Sequence, residues 1–258
     1  MSNHDTEEDW HEWRRRRVEA VSAPHGPLAL TGTHWLADAE DGRLPRVPGH
    51  WREKGDELVL TASAADGITL DGVPVSGEVR LTAGRGGLAH GERALALVRP
   101  EGEWAVRVFD PAAAARQRFA GIDAFGYDPR WALTARFEPY PRRHGVRVAN
   151  ADGRERGLGL DGDLVFTAAG GEHRIAVAVE ADGSLWGVVA DATSGSQTFR
   201  FRFLRPPAPA ADGTVQLDLN RAQLPPCAFS DAFLCPFPPP GNTLPFAVEA
   251  GEKAVLTR

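Results

Sequence analysis

The chain has 258 residues, 42% of them hydrophobic and 25% charged, with a formal net charge of −6. That length suits one large hydrophobic core or two packed halves. The acidic balance argues against non-specific nucleic-acid binding, and no apolar run approaches the ~20 residues that span a bilayer.

Glycine (28) and proline (20) punctuate the chain, so long helices have little room and short strands with many turns have ample room. Residues 1–22 are the exception. Asp5 and Thr6 are capping candidates, Glu7, Glu8 and Asp9 lead, and Arg14 to Arg17 follow, a charge order that suits the helix dipole. Trp10, Trp13, Arg14, Arg17, Val18 and Val21 fall on the i, i+3, i+4 rows of one helical face. The run of four arginines reads as a solvated face, because the same helix carries acids. Ala23-Pro24-His25-Gly26-Pro27 ends the helix.

The remainder, 23–258, reads as β, either one domain or two packed halves of about 23–120 and 121–258. Leu28 to Leu36 begins as a strand or turn. Leu58 to Leu60, Ile68 to Leu70, Val79 to Leu81, Ala94 to Val98 and Trp104 to Phe109 are short strands. Turns at Asp66-Gly67, Asp71-Gly72, Gly84 to Gly87 and Glu101-Gly102 separate them, and Ala112 to Arg116 can form a helical turn. Trp131, Leu133, Ala135 and Phe137 alternate onto one face. Strands then follow at Leu164 to Phe166, His173 to Val179, Leu185 to Val189, Thr198 to Leu204 and Val215 to Leu219, with Asx-Gly or Gly-Gly turns between. The expected fold is all-β, a sandwich or barrel-like body of many short antiparallel strands with one N-terminal α-helix.

From Leu224 to Leu244 the chain is rich in proline (Pro225, Pro226, Pro236, Pro238 to Pro240) and holds both cysteines, Cys227 and Cys235. It cannot be a central strand, and Phe229, Phe233 and Phe237 predict a loop packed on the body. Two cysteines are too few for a disulfide framework. Met1 to Glu12 is polar where the apolar core of an export signal would lie, so a cytoplasmic protein with reduced thiols is expected.

Local motifs carry little chemistry. Gly157-Leu-Gly159-Leu-Asp-Gly162 has dinucleotide-loop spacing, but a strand follows where a helix is required, so it reads as a turn. No phosphate loop, nucleophile elbow or metal-binding histidine pair is present, and neither a metal nor another cofactor is expected. Asp191-Ala-Thr-Ser-Gly195 reads as a turn whose side-chain oxygens satisfy backbone donors. Asp218, Asn220 and Arg221 stand at a strand end just before the prolyl segment, where sites often form. Their plain alternative is a buried Asp–Arg pair holding the loop. For the cysteines the plain reading is a pair of buried structural thiols, with Arg221 the nearest local cation for a reactive one.

The segment Asp218-Leu-Asn-Arg-Ala-Gln-Leu-Pro-Pro-Cys-Ala-Phe-Ser230, with Cys235-Pro-Phe-Pro-Pro-Pro-Gly-Asn242 and Ala250-Gly-Glu-Lys253, resembles the C-terminal signature of the bacterial domain-of-unknown-function 1684 family. Pro24 to Leu36, Arg107 to Asp110, Phe119 to Gly121, Tyr127-Asp-Pro-Arg-Trp131 and Asp191 to Gly195 are also similar to it. The family often has an aromatic residue at the position of Gln223 and Asn at that of Leu224, so this chain departs there. The resemblance implies a shared fold and a shared site, and assigns no reaction.

Two functions follow as expectations. One is a cofactor-independent enzyme acting on a small carbonyl- or carboxylate-containing metabolite under the prolyl segment. Arg202, Asn220, Arg221 and Asn242 would bind the ligand, and Cys227, Ser230, Asp191 or Glu252 would serve as nucleophile, acid or base. The other is a non-catalytic β-sandwich binding module presenting Trp35, Trp51 or Trp104.

Overall fold

A computed structural model of the chain describes residues 3–258, with side chains from Thr6 onward. The first helix, α1, runs Asn3–Ser22. Thr6 therefore lies inside it and not at its N-cap, and the side chain of Asp5 falls outside the described residues. Arg14 to Arg17 sit at mid-helix, and the last turn carries no base. No helix among the described residues is long and apolar enough to cross a membrane.

The chain divides into two compact units, Glu19–Phe119 and Met1–Val18 with Ala120–Arg258. The first holds strands β1 (Leu30–Trp35), β2 (His50–Lys54), β3 (Glu57–Ala62), β4 (Ile68–Leu70), β5 (Val73–Pro74), β6 (Gly77–Leu81), β7 (Leu88–His90), β8 (Arg93–Val98) and β9 (Ala105–Phe109), then a short helix α2 (Ala114–Arg118). They form a six-stranded antiparallel sheet, β1-β9-β8-β7-β4-β5, and a three-stranded one, β2-β3-β6. Period-2 alternation sends Leu58, Leu60 and Leu81 from one sheet, and Leu95, Leu97 and Val106 from the other, into a common core. Trp51 and Trp104 fill that core at 1% and 2% exposure as packing residues, whereas Trp35, the third ring named for the binding module, is half-buried. Asp71 and Gly72 both take positive φ in the two-residue turn joining Leu70 to Val73, as a type I′ hairpin demands.

The second unit holds β10 (Phe119–Ala124), β11 (Ala132–Ala149), β12 (Glu155–Ala168), β13 (Gly171–Val179), β14 (Leu185–Val189), β15 (Arg202–Leu204), β16 (Thr214–Asp218) and β17 (Glu252–Thr257). β10 pairs with β17, and the rest form the antiparallel sheet β15-β14-β13-β12-β11-β16. Ala135, Leu164, Ile175, Leu185 and Leu217 build its core, with Trp131, Leu133 and Phe137 packed on it, as their alternation predicts. The structure is thus mostly β, with many antiparallel strands and one long N-terminal helix.

The G-x-G-x-x-G run is neither a phosphate loop nor a turn. Gly157, Gly159 and Gly162 lie inside β12, paired with Arg147, Gly145 and Pro139 of β11. A Cβ on Gly162 would stand 2.5 Å from the Glu138 carbonyl oxygen, so the glycine is there for close strand approach.

Candidate functional site

The C-terminal signature lies on the second unit. Its first part leaves β16 through a 3-10 turn, Leu219–Arg221, capped by Asp218 Oδ1, which accepts from the Asn220 amide at 3.0 Å. Asn220 is 1% exposed, and the protein saturates its side chain. Its Oδ1 accepts from the Asp128 amide at 3.0 Å, and its Nδ2 donates to the Asp128 carbonyl and Asp218 Oδ1, both at 2.9 Å. Trp10 Nε1 of α1 donates to the Asn220 carbonyl at 2.9 Å.

Asn242 is equally enclosed. β13 and β14 pair only at Ala178/Trp186 and Val179/Leu185. Beyond those pairs, Asn242 stands between them like a missing peptide. Its Oδ1 accepts from the Ala176 amide at 2.8 Å, and its Nδ2 donates to the Ala176 and Val188 carbonyls at 2.8 and 2.9 Å.

The charged candidates form two buried pairs. Arg202 and Asp191, each with a side chain 1% exposed, meet at 2.6 Å. Arg202 also donates to the carbonyls of Val248, at 3.0 Å, and Ala250, while its Nε has no partner. Asp191 Oδ1 accepts from Thr193 N at 2.8 Å, Thr193 Oγ1 at 2.7 Å and Val248 N at 3.2 Å, so the turn reading of this segment holds. Burial pushes the Asp191 carboxyl up, but Arg202 and the Thr193 donors outweigh it and hold it below its ordinary value. Burial lowers the Arg202 guanidinium from its ordinary value against the opposing charges of Asp191 and Glu252, and it stays protonated at neutral pH.

Glu252, 2% exposed, accepts from Arg17 Nε at 3.0 Å and from the Leu224 amide at 2.6 Å. Arg17 further donates to the Leu224 carbonyl at 2.8 Å, and Arg14 to the Ile122 carbonyl at 2.7 Å. Two of the four arginines read as a solvated face are therefore structural ties. They were recoverable from the sequence, since they share the helical row of Trp10 and Val21.

The remaining candidates lie on the prolyl segment. Cys227 and Cys235 are both buried, packed with Val188, Phe201 and Phe203. Ser230 Oγ accepts from the Ala232 amide at 3.3 Å. The cation acting on Cys227 is Arg200, not Arg221.

Among the eight expected site residues, Arg221 alone lines a cleft of ≈ 290 Å³. Its side chain is 41% exposed, and its Nε lies 3.2 Å from Asp218 Oδ2, out of line for a hydrogen bond. Arg205, Gln216, Tyr127 and Asp9 share the cleft with an apolar floor of Leu204, Pro206 and Leu217. Sequence reading missed Arg205, Gln216 and Tyr127; the signal available was a charged residue beside the Pro206-Pro207 break. A second, broader hollow of ≈ 470 Å³ lies by Trp131 and Phe246, whose rings are parallel within 9° at 6.3 Å.

This is an antiparallel β protein whose signature segment is bound down by buried polar groups, with Arg221 of that segment lining a cleft. It belongs to the DUF1684 family: the family model, described as a protein of unknown function, matches residues 117–253. That match contains the C-terminal signature and leaves Pro24 to Leu36 and Arg107 to Asp110 outside it. The solution NMR structure of an uncharacterized protein from gene locus rrnAC0354 of Haloarcula marismortui is similar, at 30% identity over 52% of this chain and 77% of that one, with a TM-score of 0.44. No curated protein matches the chain.

Proposed function

We propose that the protein is a cytoplasmic small-molecule-binding protein that holds a carboxylate-bearing metabolite in the cleft at Arg221. The observation that carries this reading is the Arg221 guanidinium, which stands in a concave site beside Arg205 and whose described contact is an off-line approach to Asp218. An arginine of this kind is suited to paired hydrogen bonds with a carboxylate. Tyr127 and Gln216 supply neutral polar contacts, and Leu204 and Pro206 an apolar bed. Asp9 and Asp218 balance the two cations and favour a ligand that also carries a hydrogen-bond donor.

The geometry favours binding over turnover. Asp191 and Glu252, two of the candidates for acid or base, are each fixed by an arginine and by backbone amides, and neither lines the cleft. A general acid or base must reach its substrate's proton.

Calorimetric titration with a panel of small mono- and dicarboxylates and 2-oxo acids tests the reading. A ligand bound by the native protein is expected to bind Arg221→Ala about 10- to 100-fold more weakly, the loss of one charge-assisted hydrogen-bonding group. Equal affinity in the variant places the ligand elsewhere. Consumption of the bound compound restores the enzyme reading.

A further inference from the structure

Two thiols meet on the prolyl segment, away from the Arg221 cleft. Cys227 sits in the 3-10 turn Pro226–Ala228, and the chain returns so that the Cys227 amide donates to Cys235 Sγ at 3.2 Å. The return is fixed on both sides. The Cys235 carbonyl accepts from the Ala151 amide at 2.8 Å, and Asn150 Nδ2 donates to the Leu234 carbonyl at 2.9 Å. The Phe229 and Ala228 amides close the turn onto Pro226 and Pro225 at 3.0 and 2.9 Å. Cys235 Sγ thus lies within hydrogen-bond reach of the Cys227 amide, whose nitrogen is bonded to the Cα that carries the Cys227 side chain.

The surroundings favour thiolate at Cys227. A side-chain hydrogen bond with Cys235 lowers its pKa from the ordinary thiol value, burial opposes this, Arg200 adds to the lowering and Asp231 resists it. Arg200 is held there over the rings of Phe237, at 5.0 Å, and Phe199, at 5.3 Å.

We propose that Cys227 and Cys235 form a peroxide-oxidisable dithiol that closes to a disulfide across the prolyl segment. The Cys227 thiolate attacks one oxygen of hydrogen peroxide. The S–O bond forms and the O–O bond breaks. The departing hydroxide takes up the proton released from the thiol and leaves as water. The Cys235 sulfur then attacks the sulfenic sulfur; the S–S bond forms, the S–O bond breaks, and the hydroxyl leaves with the Cys235 proton as a second water. Two thiols and one peroxide become one disulfide and two waters. The sulfur pair gives up the two electrons that the peroxide accepts.

The full chain is treated with hydrogen peroxide, quenched, alkylated in denaturant and digested with trypsin. Arg221 and Lys253 bound a single peptide carrying both cysteines. The expected product is that peptide unalkylated and lighter by two hydrogens, restored by dithiothreitol. Exchange of the backbone amides from Cys227 to Cys235 slows in the oxidised protein. In Cys235→Ser, dimedone labels Cys227; in Cys227→Ser, Cys235 remains open to alkylation. Full alkylation of both cysteines after peroxide, or sulfinic and sulfonic acids without the disulfide, overturns the proposal. The native-sequence experiment stands by itself if either variant fails to fold.

Discussion

Asp191 and Arg202 carry opposite charges at 1% exposure, and each is meaningful only with the other. Removing one partner of such a pair strands the other in a low-dielectric interior, at a cost of about 3–5 kcal/mol. Asp191→Asn is therefore expected to lose that much in urea unfolding at neutral pH. The pH dependence has a definite sign. The folded carboxyl lies below its ordinary value, so its stabilisation is present above the unfolded pKa of about 3.9 and disappears as pH falls through the folded one. Arg202→Met weakens that contribution. With the arginine gone, only the Thr193 and Val248 donors oppose burial, so the Asp191 pKa rises relative to the native protein, and the variant gains stability relative to the native protein as the medium is acidified. Stability curves of the two variants with parallel acid limbs would refute the pairing.

The sequence offered Asp191 and Glu252 as acid or base and Arg202, Asn220 and Asn242 as ligand-binding residues, and all five are buried. It could not say whether each meets a ligand or the protein. The partners lie 11 residues away for Arg202 and 235 away for Glu252, beyond any local pattern.

At the scale of elements, turns were the most legible feature because their chemistry is local. Asp71-Gly72, Gly170, Gly183 and Gly213 all take the left-handed backbone their turns require. Long strands were less so. β12 runs unbroken from Glu155 to Ala168, yet its glycines, of which Gly162 is needed where Phe137 and Glu138 of β11 crowd against it, imitate a turn. Least legible was the gap between β13 and β14, filled by a side chain from the prolyl segment. Asn242 makes three hydrogen bonds there, the one to Val188 buried and the two to Ala176 part-buried. Asn242→Ala leaves an amide and two carbonyls without partners, at about 1–3 kcal/mol for each group left dry. A loss of at least about 3 kcal/mol in denaturant midpoint experiments is expected. Faster hydrogen exchange at Ala176 should accompany it, since that amide donates to Asn242 Oδ1. A variant of native stability would mean that water enters and substitutes for the amide.

Across the whole molecule, the ends of the sequence depend on one another. Within the unit formed by Met1–Val18 and Ala120–Arg258, α1 reaches the signature segment through Trp10 and Arg17, and β10 through Arg14. Arg17 does most of this. It pairs with Glu252 at the start of β17, donates to the Leu224 carbonyl, and stands 5.3 Å from the ring of Phe229. Its position on the helix was readable from the row it shares with Trp10; its partners were not. Arg17→Met keeps much of the stem's bulk and removes the charge, leaving Glu252 buried with the Leu224 amide as its remaining described donor. The expected cost is about 3 kcal/mol, and it should fall unevenly. Amides of Ala222 to Leu224 and of β17 should exchange faster. Those of Leu164 and Ile175, at the centre of the six-stranded sheet, should keep the slow exchange of global unfolding, reduced only by the overall loss. Uniform acceleration along the chain would show instead that Arg17 acts on the fold as a whole and does not fasten the prolyl segment.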